Sequence, residues 1–188
     1  DLAYGQFDLY TPLQMAQYVA TIANGGTRYA PRIVKEIRGT DVNGELGAVK
    51  TTVPSKVMNV INIDPNAMDR IHEGMRQVSH TVDGTARYYF LDYPIEVGSK
   101  TGTTEAFYSG PVQHASNEPV TNATYVGYAP FDNPEIAITV IVPYLLEESW
   151  GRESTKVAHE VMNAYFLQEE STRETIEQYM QTFVAPAN

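Results

Sequence analysis

The sequence predicts an α+β fold, an antiparallel sheet flanked by helices, on three observations. Apolar, strand-patterned segments at 122–129 and 135–143 are joined only by Pro130-Phe131-Asp132-Asn133-Pro134. That turn is too short for a parallel crossover, so the two strands should pair antiparallel. A further strand-like segment at 95–101 precedes them and makes a three-stranded meander. Finally, apolar residues recur at helical spacing after Thr11, after Asp64 and after Arg152, which supplies amphipathic helices to cover the sheet.

The first helix opens at Thr11-Pro12-Leu13-Gln14. Thr11 can cap, Pro12 suits the first helical position because its missing N–H has no intrahelical partner there, and Gln14 stands three after the cap as a capping box requires. Leu13, Ala16, Gln17, Ala20 and Ala23 follow at helical spacing, with Val19 and Ile22 beside them, and the helix should run to Asn24. Gly25-Gly26 provides its left-handed stop. Residues 32–38 read as a strand, and 40–47, with Asp, Asn and two glycines, as an exposed turn or loop.

Asp64-Pro65 repeats the cap-then-proline signature, and Met68, Ile71, His72, Met75 and Val78 put a mainly apolar stripe on the second helix. After the strand at 95–101, residues 104–119 read as a polar loop. The run 136–142 is apolar on both faces apart from Thr139, as expected of a central strand covered by helices. Val157, Ala158, Val161, Met162, Ala164 and Tyr165 form a helical stripe within 152–167 that could lie across one sheet face. Residues 172–183 make a weaker, more polar helix.

With 188 residues the chain can bury one core, and a formal net charge of −10 argues against a nucleic-acid surface, which needs clustered Lys and Arg to displace counterions. Zero cysteines removes thiolate catalysis and Cys-ligated metal from consideration. No stretch reaches the roughly 18 apolar residues of a spanning helix, and no charged-then-apolar signal opens the chain. Because it begins at Asp1, the natural start is expected elsewhere.

Lys100-Thr101-Gly102-Thr103 is the one run that spells out recognisable chemistry. On a strand, Lys100 and Gly102 share one face and Thr101 and Thr103 the other. An ammonium and two hydroxyls near one point suit a carboxylate, and a strand glycine often marks a place where another backbone comes close. The plainer reading is a surface strand with a solvated lysine, since bare K-T-G arises by chance in roughly one chain of this size in twenty to forty. K-T-G belongs with S-x-x-K and a serine-x-asparagine motif in serine β-lactamases and penicillin-binding proteins. Neither partner motif is present: no serine here has lysine three positions on or asparagine two positions on.

The motif has company. Tyr4-Gly5-Gln6-Phe7, Tyr10-Thr11-Pro12-Leu13-Gln14-Met15-Ala16, Ile22-Ala23-Asn24-Gly25-Gly26 and Pro31-Arg32-Ile33-Val34 resemble the segment upstream of K-T-G in high-molecular-weight penicillin-binding proteins. Gly74-Met75-Arg76-Gln77-Val78 before the motif and Tyr125-Val126-Gly127-Tyr128-Ala129-Pro130 after it continue the order, and the resemblance weakens after about Leu167. The Gly-Gln-Phe-Asp opening looks most like the monofunctional, class B transpeptidases of Gram-positive cell elongation.

The resemblance implies the penicillin-binding transpeptidase or serine β-lactamase-like fold, incomplete here: a five-stranded antiparallel sheet of which three strands match. Residues 1–188 would be the C-terminal portion of one transpeptidase domain, cut after the serine-x-asparagine motif, with 168–188 as a C-terminal extension. The family's serine attacks the penultimate D-alanine carbonyl of a peptidoglycan stem peptide ending in D-Ala-D-Ala, releases the last D-alanine and passes the acyl group to a neighbouring strand's amine; β-lactam antibiotics imitate that peptide end. By the same resemblance Lys100 directs positive charge toward the substrate carboxylate, Thr101 and Thr103 offer it hydroxyls, Gly102 keeps the approach open, and the Thr103 backbone N–H is half of the oxyanion hole. The nucleophilic serine and its lysine lie outside this chain, which is expected to be inactive alone. No cofactor or metal is implied; cell-elongation or division proteins are implied as partners, at the extracytoplasmic membrane face, with an N-terminal anchor outside this chain.

Thr104, Glu105 and Tyr108 stand near enough to line the same cleft, without assigned roles. A serine β-lactamase or D,D-carboxypeptidase fragment shares K-T-G, although the Thr-Pro-Leu-Gln helix favours the transpeptidase; a non-catalytic cell-wall binding or interaction module would keep the sheet without the reaction. His72, His80, His114 and His159 have no ligand-like spacing and read as packing or surface residues. The dispersed tyrosines and Trp150 read as core and boundary packing, and Glu147, Glu148, Glu153, Glu169 and Glu170 as a solvated rim.

Overall fold

The computed structural model describes residues 8–40, 46–106, 120–145 and 152–167. Helix α1 spans Pro12–Ala23 and carries the full capping box: the Gln14 N–H donates to Thr11 Oγ1 and the Thr11 N–H donates to Gln14 Oε1 at 2.8 Å. Gly25 and Gly26 follow in the left-handed region, at φ 78° and 113°, and turn the chain back.

Four short strands come next: β1 Thr27–Tyr29, β2 Glu36–Thr40, β3 Leu46–Thr52 and β4 Val57–Val60. They form two antiparallel pairs, β1 with β4 and β2 with β3. The strand expected at 32–38 is displaced, beginning at Glu36 and reaching Thr40, and the loop expected at 40–47 ends early because Leu46 and Gly47 already belong to β3. Helix α2, Pro65–His80, starts on Asp64, whose carboxylate accepts from the Asn66 N–H at 2.8 Å. A four-residue helix, α3 Arg87–Phe90, precedes the main sheet.

That sheet is the expected meander, β5 Gly98–Ala106, β6 Val120–Ala129 and β7 Ile136–Leu145, antiparallel in the order β5-β6-β7. β5 is displaced from the expected 95–101: it begins at Gly98, and the first residues of the expected polar loop continue its ladder to Ala106, opposite Val120. β6 is the central strand. β7, expected to be central, lies at an edge among the described residues; its two apolar faces receive α1 on one side and α4, Arg152–Phe166, on the other. Apolarity there reports covered faces, not paired edges.

Two cores sandwich the sheet. On one face Tyr125 and Ala129 of β6 pack with Ala86 and Phe90 of the α3 turn, Tyr93, Val97, and Ala158 and Met162 of α4. On the other Val126 and Tyr128 pack with Val19 and Ile22 of α1 and with Met68 and Met75 of α2. The tyrosine rings need two glycines: a Cβ on Gly98 would fall 2.5 Å from the Tyr128 ring, and one on Gly127 would fall 2.8 Å from the Tyr125 hydroxyl. Burial pushes the Tyr128 phenol up to about 12 and the fully buried Tyr125 phenol higher still.

The described histidines are packing residues, as expected. His72 Nε2 lies 2.8 Å from the Ile22 carbonyl and ties α2 to the end of α1; His159 sits among the rings of Tyr89, Phe90 and Tyr93. His80 Nε2 accepts from the Val97 N–H at 2.8 Å. The segment 4–7, Tyr108, His114, Glu147, Glu148, Trp150, Glu169, Glu170 and the helix expected at 172–183 lie outside the described residues.

Candidate functional site

Lys100, Thr101, Gly102 and Thr103 sit in the middle of β5, facing Val126, Tyr125, Thr124 and Ala123 of β6 in turn. Strand alternation divides them. Thr101 and Thr103 lie on the Tyr125 face with α3 and α4, whereas Lys100 and Gly102 lie on the Val126 face with α1 and α2. β5 pairs with β6 alone, so its second edge is free of strand partners among the described residues.

On the hydroxyl face, Thr101 and Thr103 line a cavity of about 150 Å³ together with Thr85, Tyr88, Tyr89, Arg152 and Thr155. The Thr85 and Thr101 hydroxyls are 2.7 Å apart. The Arg152 guanidinium lies 4.1 Å from the centre of the Tyr88 ring, and the Arg87 guanidinium lies 4.6 Å from it while donating to the Tyr88 hydroxyl. One wall therefore presents hydroxyls and the other a cation on an aromatic ring. No sequence pattern marked Thr85, Tyr88 or Arg152, because α3 is a single turn and Arg152 enters from a distant helix. The Gly84-Thr85-Ala86 step between α2 and α3 was the nearest signal: a Cβ on Gly84 would fall 2.3 Å from the Val78 carbonyl oxygen, so the tight return that delivers Thr85 requires glycine.

Lys100 is exposed, and its ammonium donates to the carbonyl oxygen of Thr101 rather than entering the cavity. Gly102 is open: the nearest atom to a Cβ there would be Thr124 Cβ, at 3.6 Å, so no described backbone approaches it. Thr104 falls on the Lys100 face and Glu105 on the Thr101 face, and neither lines the cavity.

The first turn of β5 is fixed from α2. Ser79 and Ser99, both fully buried, bring their hydroxyls to 2.7 Å. One turn earlier on α2, Arg76 pairs with Glu73 at 2.8 Å and with Glu96 at 3.4 Å. Hydrogen bonds from Arg76 and Gln77 hold the Glu73 carboxyl down to about 2. Burial lowers the His80 imidazole below its usual range, against an opposing pull from Glu96. Among the described residues no group of three or more His, Cys, Asp or Glu could hold a metal ion.

The family model for the penicillin binding protein transpeptidase domain matches residues 1–164. The chain is 40% identical over 168 residues to penicillin-binding protein 2A of Bacillus subtilis, covering 88% of this chain and 23% of that protein. It is 30% identical over 142 residues to peptidoglycan D,D-transpeptidase PbpA of Mycolicibacterium smegmatis, covering 73% of this chain and 25% of that one. The solved structure of penicillin-binding protein 2B from Streptococcus pneumoniae strain R6 matches with a TM-score of 0.75 at 37% identity, over 90% of this chain and 26% of that chain. The chain thus spans about a quarter of the length of the relatives it matches. With the β5 motif, the meander behind it and the match running from the first residue into α4, the chain belongs to the penicillin-binding protein transpeptidase domain family.

Proposed function

We propose that this chain forms the substrate-anchoring wall of a serine-type, class B peptidoglycan D,D-transpeptidase working at the extracytoplasmic face of the membrane. The observation that carries the reading is the pair of hydroxyls, Thr101 and Thr103, turned together into one cavity beside a sheet edge that is unpaired among the described residues. The substrate is a stem peptide ending in D-Ala-D-Ala, and β-lactams enter the same cleft. Thr101 and Thr103 bind the terminal carboxylate, Gly102 leaves the strand bare where the peptide lies along it, and Lys100 adds positive potential from the opposite face.

The nucleophilic serine comes from a segment outside this sequence. Its Oγ bonds to the penultimate D-alanine carbonyl carbon, its proton passes through a base to the departing D-alanine nitrogen, and the C–N bond breaks to leave an acyl-serine. An acceptor amine then attacks the ester carbonyl, and the serine oxygen leaves with a proton. The oxyanion formed in each step receives the Thr103 N–H and the serine's own amide.

The oxyanion role of Thr103 requires its N–H to face the open edge of β5. In an antiparallel pair, residues alternate between turning both backbone groups to the partner and turning both outward. Thr101 and Thr103 stand two apart on β5, opposite Tyr125 and Ala123, so whichever edge the Thr101 backbone groups face, those of Thr103 face it too.

Labelling with a fluorescent penicillin on a denaturing gel tests the reading. The full-length protein should carry a covalent label and the 188-residue chain alone none. An unlabelled full-length protein, or a labelled isolated chain, overturns it; rapid penicillin hydrolysis by the full-length protein would point instead to a β-lactamase.

A further inference from the structure

We propose that Arg152 supplies the cation that binds the substrate carboxylate together with Thr101 and Thr103, a role that rests on the transpeptidase reading but is carried by α4 rather than by the motif. The motif's own lysine is on the wrong face for this task. Alternation along β5 turns Lys100 away from the two threonines, and its ammonium is engaged by the Thr101 carbonyl. Arg152 opens α4 and lines the same cavity as Thr101, Thr103 and Thr155.

Three features suit Arg152 to a carboxylate. Its guanidinium rests on the Tyr88 ring at 4.1 Å, which restricts a long side chain before ligand arrives. Among the described residues no carboxylate pairs with it, the adjacent Glu153 included, and its forked N–H groups suit a two-point contact. The facing wall is made of neutral hydroxyls, which add donors without competing charge. A compact anion entering the cavity would meet the arginine on one side and Thr101 and Thr103 on the other. The cavity, about 150 Å³, has room for a carboxylate and a small alkyl group.

The test compares acylation of the full-length protein by a penicillin and by its methyl ester, followed by intact-protein mass. For the Arg152→Gln variant, the rate with the free acid should fall by about tenfold to a hundredfold, the loss expected for one charged hydrogen-bonding partner, while the ester rate stays within twofold. Arg152→Lys, which keeps the charge and loses the fork, should fall between the two. An acid rate unchanged in Arg152→Gln overturns the proposal, as does an equal fall for acid and ester, which would signify general damage to the domain. Should Arg152→Gln fail to fold, Arg152→Lys decides alone: an undiminished preference for the acid over the ester rejects the guanidinium contact. A wild-type protein that takes no label defeats the transpeptidase reading itself; a labelled wild type with an unchanged acid preference in the variants defeats only this inference.

Discussion

The Thr85 and Thr101 hydroxyls stand 2.7 Å apart, so the second residue of the K-T-G motif is held by the turn between α2 and α3. Thr85 gives the Thr101 hydroxyl a hydrogen-bond partner and so a defined rotamer. Thr85→Val keeps the shape and removes that partner. Acylation of the full-length protein by penicillin should slow about fivefold to tenfold, matching a neutral hydrogen bond of about 1 kcal/mol. Thr101→Val should cost more, and the double variant should be no slower than Thr101→Val alone, because Thr85 acts through Thr101. Independent, multiplying effects in the rate measurements would exclude the coupling.

Ser79 and Ser99 make a second hydroxyl pair, this one with no exposed surface. Ser79→Ala removes the α2 partner of the buried Ser99 hydroxyl, and losing a buried hydrogen bond costs about 1 kcal/mol or more. Denaturant unfolding of the full-length protein should show that loss for either single alanine variant. The double variant Ser79→Ala/Ser99→Ala should lose less than the sum of the two, since the hydrogen bond between them is lost only once. Strict additivity would show that the pair is not coupled.

These pairs also mark where the sequence ceased to be readable. The α1 capping box, the cap at Asp64 and the meander were legible because each depends on residues within one turn or one short loop. Lys100-Thr101-Gly102-Thr103 was legible because its chemistry is contiguous. The β1–β4 pair was not, since Thr27 meets Val60 across an entire intervening hairpin and the strands are only three and four residues long. For the same reason the far wall of the cavity escaped notice: Thr85 and Arg152 have no local pattern, and only the folded chain brings them to Thr101. The Ile136–Leu145 strand taught a narrower lesson, that two apolar faces predict two covering helices and leave the edge undecided.

The two β5 glycines should respond oppositely to alanine. At Gly98 a Cβ would fall 2.5 Å from the nearly fully buried Tyr128 ring, which cannot move without opening the core it shares with Val126 and Met75. Gly98→Ala should lower the stability of the full-length protein by about 1–3 kcal/mol, as overpacking does. At Gly102 the nearest contact would be an ordinary 3.6 Å, so Gly102→Ala should leave stability within about 0.5 kcal/mol. Its effect belongs to function: a methyl group on the bare strand should slow penicillin acylation. Thermal unfolding beside acylation kinetics separates the cases, and a destabilised Gly102→Ala with normal acylation would contradict the assignment.

His80 should make stability depend on pH in a defined window. Its Nε2 accepts the Val97 N–H at 2.8 Å, which only the neutral ring can do, and burial lowers its pKa below the ordinary 6.5. The unfolded chain therefore binds the proton more readily than the folded one, and stability rises with pH wherever that difference is populated. The contribution is complete above about pH 6.5 and is lost as pH falls through the lowered folded value. Glu73, held at about 2 against an unfolded 4.5, acts in the same direction in a lower window, from about pH 4.5 to 2, so the two should be separable. Unfolding of the full-length protein measured between pH 8 and pH 5, within roughly the range where histidine titrates, should show a decline. His80→Gln, which can still offer an oxygen to the Val97 N–H, should flatten that decline; an undiminished slope in the variant would place the titrating group elsewhere.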